Sequence, residues 1–350
     1  VIYDIDDLVI DTKYTDTIKY LDTMSPEERK GYDEGVRNMQ KVLKMCDAAI
    51  TTTEGMAEEL KHYVPKVFIN RNTASEEMLK LSEEAYEKAV AEKKAEGRKT
   101  VKLGYFSGSI THNDDFILIQ PAVAKIMEKY PQTELHIAGI LDIPKEFEAF
   151  KERVIAHPFA DWKKLPEMIA SMDINLAPLE ESIFNEAKSE NKWVEAALVR
   201  VPTIASNLGA FKRMIEHNKT GILANTCEEW YEGLEALIVD TQKRECIAKA
   251  AYDYCKVHCV TLYTGFPLMK FIKSMYVPNI AMVLPALNIS GGIMVAFEHC
   301  KVLREHGYDV TIINDDIDDS TWCEFQGIKF PVLPSRESII CGHFDKAVAT

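Results

Sequence analysis

Strands alternating with helices along most of the 350 residues predict an α/β protein built from Rossmann-like, doubly wound parallel sheets. Two observations carry that prediction. Short apolar runs of strand length recur between helical polar-apolar patterns from Lys102 to Val257. One stretch, Ile174 to Ser206, also spells out a whole β-α-β unit: an apolar strand (Ile174 to Leu179), a polar loop, a helix, and a second apolar strand (Val201 to Ala205) led in by Pro202. Parallel units of this kind place ligands beyond the carboxyl ends of their strands, facing the following helices. The loop carries Asn185, Glu186, Lys188 and Ser189 and the helix carries Glu190, Lys192 and Glu195, and the loop is therefore the first place to look for a ligand. A helix amino end suits a phosphate, and Lys188 adds a positive charge there. Taken alone, the same pattern also describes an ordinary surface loop before a packing helix.

The totals narrow the function classes. At 350 residues the chain exceeds the roughly 250 residues over which one core usually grows, so two or more domains are expected. A net charge of −14 leaves no excess of Lys and Arg to neutralise nucleic-acid phosphates, so no nucleic-acid partner is expected. It does not oppose a small anion held by a few local groups. The eight cysteines are scattered, which fits reduced thiols in a cytosolic setting. Cys246, Cys255 and Cys259 with His258 lack a second ligand pair and read as helix-face residues rather than a zinc site. No segment approaches the about 18 consecutive apolar residues of a membrane span. The chain begins at Val1 and stops at Thr350 inside strand-like runs, which predicts a piece of a longer polypeptide.

In order, Val1 to Ile5 reads as a buried strand followed by an acidic turn. Asp4, Asp6 and Asp7 there invite a metal reading beside that of a plain acidic loop. Ser25-Pro26-Glu27-Glu28 opens a helix that runs to Cys46, with Ser as cap and Pro in the first turn. Ala48 to Thr52 is a strand, Thr53 to His62 a helix, Lys66 to Asn70 a strand: half of a doubly wound domain. Glu76 to Arg98 is a charged connector helix. Lys102 to Phe106 starts a new domain. Ser107-Gly108-Ser109 directly follows that strand, where small residues let a ligand approach the backbone. The glycine pattern of dinucleotide enzymes is absent, so no nicotinamide cofactor is expected. A helix to Tyr130 and strands Glu134 to Gly139 and Arg153 to Ala156 follow, then a helix from Trp162 to Ser171. Beyond the central stretch come a short helix Phe211 to Glu216, a strand Thr220 to Ala224, and helices Cys227 to Asp240 and Lys243 to Val257.

Three pieces together, YFSGSITHNDDF, INLAPLEESIFNEAKSENKWVEAALVRVPTIAS and KTGILANTCEEWYEGLEALIVD, resemble the nucleotide-sugar-binding half of retaining, group 1 (family 4-like) glycosyltransferases with the GT-B fold. The likeness covers Lys102 to Thr264. YDIDDLVID, MCDAAITTTEGMAEEL and VFINRNTAS resemble the later part of the same enzymes' amino-terminal domain. The resemblance implies that Glu195 accepts hydrogen bonds from the nucleotide ribose, as a carboxylate can from two vicinal hydroxyls. It further implies that the helix end near Ser189 faces the diphosphate and that Lys188 offsets charge on the leaving group. Gly108, Ser109 and His112 are implied as donor contacts, with a surface role for His112 as the alternative. The family's earlier glutamate, eight positions before the ribose one, falls on Ala187 here, with Glu186 adjacent as its stand-in.

The tail begins again: strand Ile280 to Leu284, loop Asn288 to Gly292, helix Ile293 to His306, strand Val310 to Asn314. It resembles the start of a GT-B amino-terminal domain, which implies a tandem transferase cut short, a circular permutant, or an inactive packing tail. The expected domains are 1–98, the remainder of an acceptor-side domain with its connector, 99–277, the nucleotide-sugar domain, and 278–350, the start of a second transferase. The expected function is transfer of a sugar from a nucleoside diphosphate sugar to a glycan or lipid-linked glycan, without a bound metal. The cytoplasm, or the inner face of the membrane through peripheral association, is the expected location. The alternatives are a noncatalytic nucleotide-sugar-binding or scaffolding module, and a metal-dependent phosphotransfer enzyme using Asp4, Asp6 and Asp7.

Overall fold

The computed structural model describes all residues except 98–99, 108–112, 140–144, 286, 288–290, 315–321, 335–343 and 350. The chain forms two compact units, Val1–Leu268 and Met269–Thr350.

The first unit holds two parallel sheets. Strands β1 (Ile2–Asp4), β2 (Ala48–Thr51) and β3 (Val67–Ile69) form the first, in sequence order. The helix Pro26–Leu43 joins β1 to β2; it opens on the expected Ser25 cap with Pro26 in the first turn, and Glu28 completes a capping box with Ser25. Thr53 caps the helix Glu54–Leu60 between β2 and β3. Ile5, Leu8, Tyr14, Leu43, Met56 and Leu60 are buried in the core of this amino-terminal lobe. Two elements go beyond the expected pattern, the helix Thr12–Thr15 and a 3₁₀ turn over Lys19–Thr23. Neither is long enough to show a period.

The connector helix Glu76–Glu96 ends on Gly97 in the left-handed region, a normal helix stop. It leads to the larger sheet: β4 (Val101–Phe106), β5 (Thr133–Ala138), β6 (Val154–His157), β7 (Ile174–Ala177), β8 (Thr203–Ser206) and β9 (Ile222–Ala224). All are parallel, in the order β6-β5-β4-β7-β8-β9. The winding direction thus reverses between β4 and β7, and a crevice opens beyond the carboxyl ends of those two strands. Helices cover both faces. Phe116, Val123, Ile126, Trp230 and Leu234 pack on one, and Trp193, Leu198, Phe211 and Ala251 on the other. Cys255 and Cys259 are buried in the second layer, and the His258 ring lies 4.6 Å from that of Tyr254, so these are packing residues.

In the second unit, β10 (Asn279–Val283), β11 (Asp309–Ile313), β12 (Trp322–Phe325), β13 (Ile328–Leu333) and β14 (Lys346–Ala349) form a sheet ordered β12-β13-β11-β10-β14. Only the β12–β13 hairpin is antiparallel. The helix Gly291–Glu305 packs Ile293, Ala296, Phe297 and Cys300 into its core. The order again reverses beside the unit's first strand.

Within the first unit the two lobes meet on the backbone of residues 186–187. Thr53 Oγ1 donates to the Ala187 carbonyl at 2.7 Å. A Cβ added to Gly55 would stand 2.5 Å from the Glu186 carbonyl oxygen, and one on Gly209, at φ +52°, would stand 2.8 Å from it. Gly55 lies in a helix, where alanine is normally the better residue by about 1 kcal/mol. Here the clash reverses the sign. Gly55→Ala is expected to destabilise the protein by about 2 kcal/mol, as overpacking does, read as a lower urea midpoint. A midpoint raised as helix propensity predicts would show that the lobes do not meet this way.

Candidate functional site

The loop after β7 is built from the inside. Asp115, 2% exposed, accepts from the Glu180 N–H at 2.7 Å and from Asn185 Nδ2 at 3.2 Å. Asn185 Nδ2 also donates to the Glu180 carbonyl at 2.9 Å. Ser182 caps a single helical turn, Ile183–Glu186, where a plain loop was expected. The chain then delivers Lys188, Ser189 and Glu190 to the head of the helix Asn191–Leu198. That helix is pinned at two points. Asn175 Nδ2 donates to the Lys192 carbonyl at 3.0 Å, and Trp193 Nε1 to the Thr220 carbonyl at 2.8 Å.

Residues of this helix line two cavities. The larger, about 540 Å³, lies between the lobes: Lys188, Ser189, Asn191 and Lys192 line one wall, Asp6, Asp7, Tyr20 and Tyr32 the other. The second, about 490 Å³, lies over the carboxyl ends of β4, β5 and β6. Phe106, Phe159, Trp162 and Leu165 make it apolar, and Glu195 and Lys192 stand at its edge. Lys192 is common to both.

The electrostatics single out the same residues. Lys192 Nζ is enclosed without a hydrogen-bond partner among the described residues and sits 5.3 Å from the centre of the Tyr105 ring. Burial pushes its pKa down to about 8, against the pull of Asp115. Burial pushes Glu195 up to about 7, with Lys192 opposing. Lys188 is also lowered by burial, with Asp115 and Asp7 acting the other way, and lies 5.3 Å from the Phe184 ring centre. A buried ammonium with no partner disfavours the free protein, and an anion entering the cleft would relieve it.

Of the residues expected from sequence, Lys188 and Ser189 line the larger cavity and Glu195 the apolar one. Glu186 faces elsewhere. Its carboxylate accepts from the Gly209 N–H at 2.9 Å and pairs with Arg213 at 2.6 Å, on the side of Gly55 and Leu208. Ala187 is 3% exposed and belongs to the amino-terminal lobe's core. A glutamate at that position would place its carboxylate in that core. Gly108, Ser109 and His112 lie outside the described residues. Among the described residues no three His, Cys, Asp or Glu side chains are grouped to hold a metal, Asp4, Asp6 and Asp7 included.

Sequence reasoning assigned no role to Lys192, which it noted on the helix, nor to Asp115 or Arg71. Lys192 had a usable signal, since it stands three positions before Glu195 and shares its helix face. Arg71 had none. It comes from the other lobe, where Nη1 donates to Glu190 Oε1 at 3.3 Å and Nη2 to Glu54.

Residues 102–240 match the family model described as glycosyl transferases group 1. A comparison with curated proteins gave no match. Among solved structures, HepE from Anabaena in complex with UDP and glucose is similar over 78% of this chain and 71% of its own, at 18% identity and a TM-score of 0.56. WaaG, a glycosyltransferase involved in lipopolysaccharide biosynthesis, is similar over 77% and 73% at 15% identity and 0.57. Sucrose-phosphate synthase from Thermosynechococcus elongatus is similar over 74% and 66% at 14% identity and 0.51. The strand order and these solved structures show a GT-B fold, and residues 102–240 are the segment similar to the glycosyl transferases of group 1.

Proposed function

We propose that the chain transfers a sugar from a nucleoside diphosphate sugar to a glycan or glycoconjugate acceptor, with retention. The observation that carries this reading is the Lys192 ammonium, without a hydrogen-bond partner among the described residues and lining both cavities. The apolar cavity suits a nucleoside, whose base would lie among Phe106, Phe159 and Trp162 while its ribose hydroxyls donate to Glu195. The diphosphate would then cross Lys192 and the helix head, with Lys188 beside the leaving oxygen. The sugar would project toward the wall of Asp6, Asp7 and Tyr32, where the acceptor enters. The side-chain cations and the helix end supply the charge that a metal supplies elsewhere, so no metal is needed on this reading.

On the same reading residues 1–98 form the acceptor side, 99–277 the donor side, and 278–350 the start of a second amino-terminal domain, whose sheet has a reversal beside its first strand. A cytoplasmic setting, at the membrane's inner face when the acceptor is lipid-linked, fits this chemistry. Among the described residues no helix is long and apolar enough to cross a membrane. One observation favours the alternative of a noncatalytic donor-binding module: the position of the earlier family glutamate is an alanine buried in the other lobe.

UDP, added with a chelator present, is expected to raise the melting temperature, and Glu195→Ala to weaken its binding about 30-fold, the worth of hydrogen bonds to a charged group. No shift with millimolar UDP would refute the donor site. Turnover of a UDP-sugar separates the enzyme from the module. Lys192→Met should abolish binding yet stabilise the free protein by about 3 kcal/mol at neutral pH. The sign follows from a pKa depressed from 10.5 to about 8: the ammonium costs stability below 8, and the cost fades as pH rises toward 10.5. A lower melting temperature for Lys192→Met at neutral pH would show the ammonium to be structurally satisfied. Affinity should also be bell-shaped in pH, since Glu195 must be ionised (above about 7) and Lys192 protonated (below about 8). A flat profile across that window would remove one or both from the contact.

A further inference from the structure

We propose that Arg71 is a positioning residue that holds the Glu190 carboxylate off the amino end of the helix Asn191–Leu198, so that the amino-terminal lobe keeps the anion site of the other lobe open. The inference rests on the donor-site reading above and concerns a residue that does not itself line the cleft; its neighbour Asn72 does.

Glu190 occupies the cap position of that helix, yet its side chain makes no capping bond. Its carbonyl accepts from the Trp193 and Val194 N–H groups. By helix geometry the N–H groups of Asn191 and Lys192 have no acceptor within the helix. An acidic side chain at a cap position ordinarily folds onto such donors. Doing so here would set a negative charge where a diphosphate must lie, beside the partnerless Lys192 ammonium. Instead Glu190 is turned back and buried, 1% exposed, with Oε1 accepting from Arg71 and Oε2 unpartnered. The charges that act on Lys192 are those of Asp115, Lys188 and Glu195; Glu190, two residues away, is not among them.

Arg71 is fixed from its own lobe by Glu54. Asn72 Nδ2 reaches Ser189 Oγ at 3.4 Å, and Thr53 holds Ala187, so three groups of that lobe retain the loop in its withdrawn form. Loss of Arg71 leaves Glu190 a buried charge without a partner, and the helix end is the nearest set of donors that would satisfy it.

The test is calorimetric titration of UDP into the full chain and three variants. Arg71→Met is expected to weaken binding about tenfold or more, Glu190→Gln to leave it within about threefold of native, and the double variant to recover to that level. Rescue by removing the opposing charge is what a packing role for Arg71 would not give. Should Arg71→Met not fold, Glu190→Asp replaces it. Its shorter side chain loses Arg71 and is a strong helix cap, so UDP should bind about tenfold more weakly with no loss of melting temperature. Native-like binding by Arg71→Met or Glu190→Asp, or a double variant as weak as Arg71→Met, overturns the proposal alone. Absence of UDP binding by the native chain overturns the donor-site reading together with it.

Discussion

Residues 186–190 are held from two sides at backbone level, and the rest of the site depends on that grip. Gly55 from one lobe and Gly209 from the other approach the same Glu186 carbonyl, at a closeness that only a missing side chain permits. Thr53 takes the next carbonyl, and Arg71 the carboxylate three residues on. With the loop fixed, Ala187 becomes part of a core it does not belong to by sequence, and Lys188 and Ser189 come out on the cleft wall. The helix head then follows in a single position, pinned below by Asn175 and Trp193.

The charges around this loop divide into two kinds. Asp115, Glu186 and Arg213 are spent on structure, each in hydrogen bonds or ion pairs that shape the loop. Lys192 and Glu195 are not: burial drives both away from their ordinary pKa values, in opposite senses, and neither gains a compensating hydrogen bond strong enough to reverse the shift. Such groups oppose folding, and their place in one cleft is what the proposed donor site explains. Lys192 lines both the apolar cavity and the larger one, whose wall mixes apolar residues with Asp6, Asp7, Lys188 and Ser189.

The elements of the fold were legible in the sequence because each carries its own local signal. Strands are apolar runs, helices open on Ser25, Thr53 and Ser75, and one ends on Gly97. Ile183–Glu186 and Thr12–Thr15 were not, since one turn shows no periodicity. Lys188, Ser189 and Glu195 could be placed because they sit on one β-α-β unit. Glu186 could not be placed, since its neighbour Ala187 is claimed by a core formed more than a hundred residues earlier in the chain. Arg71 and Glu190 are likewise partners that only the folded lobes reveal.

The central claim is that Lys192 awaits an anion. Calorimetry of UDP binding in buffers of different ionisation enthalpy tests it directly, at a pH above 8, where the free lysine is largely neutral. Binding that takes up most of one proton, and loses that uptake in Lys192→Arg, whose side chain is already charged, is the result the account predicts. Binding with no proton exchange above pH 8 would contradict it.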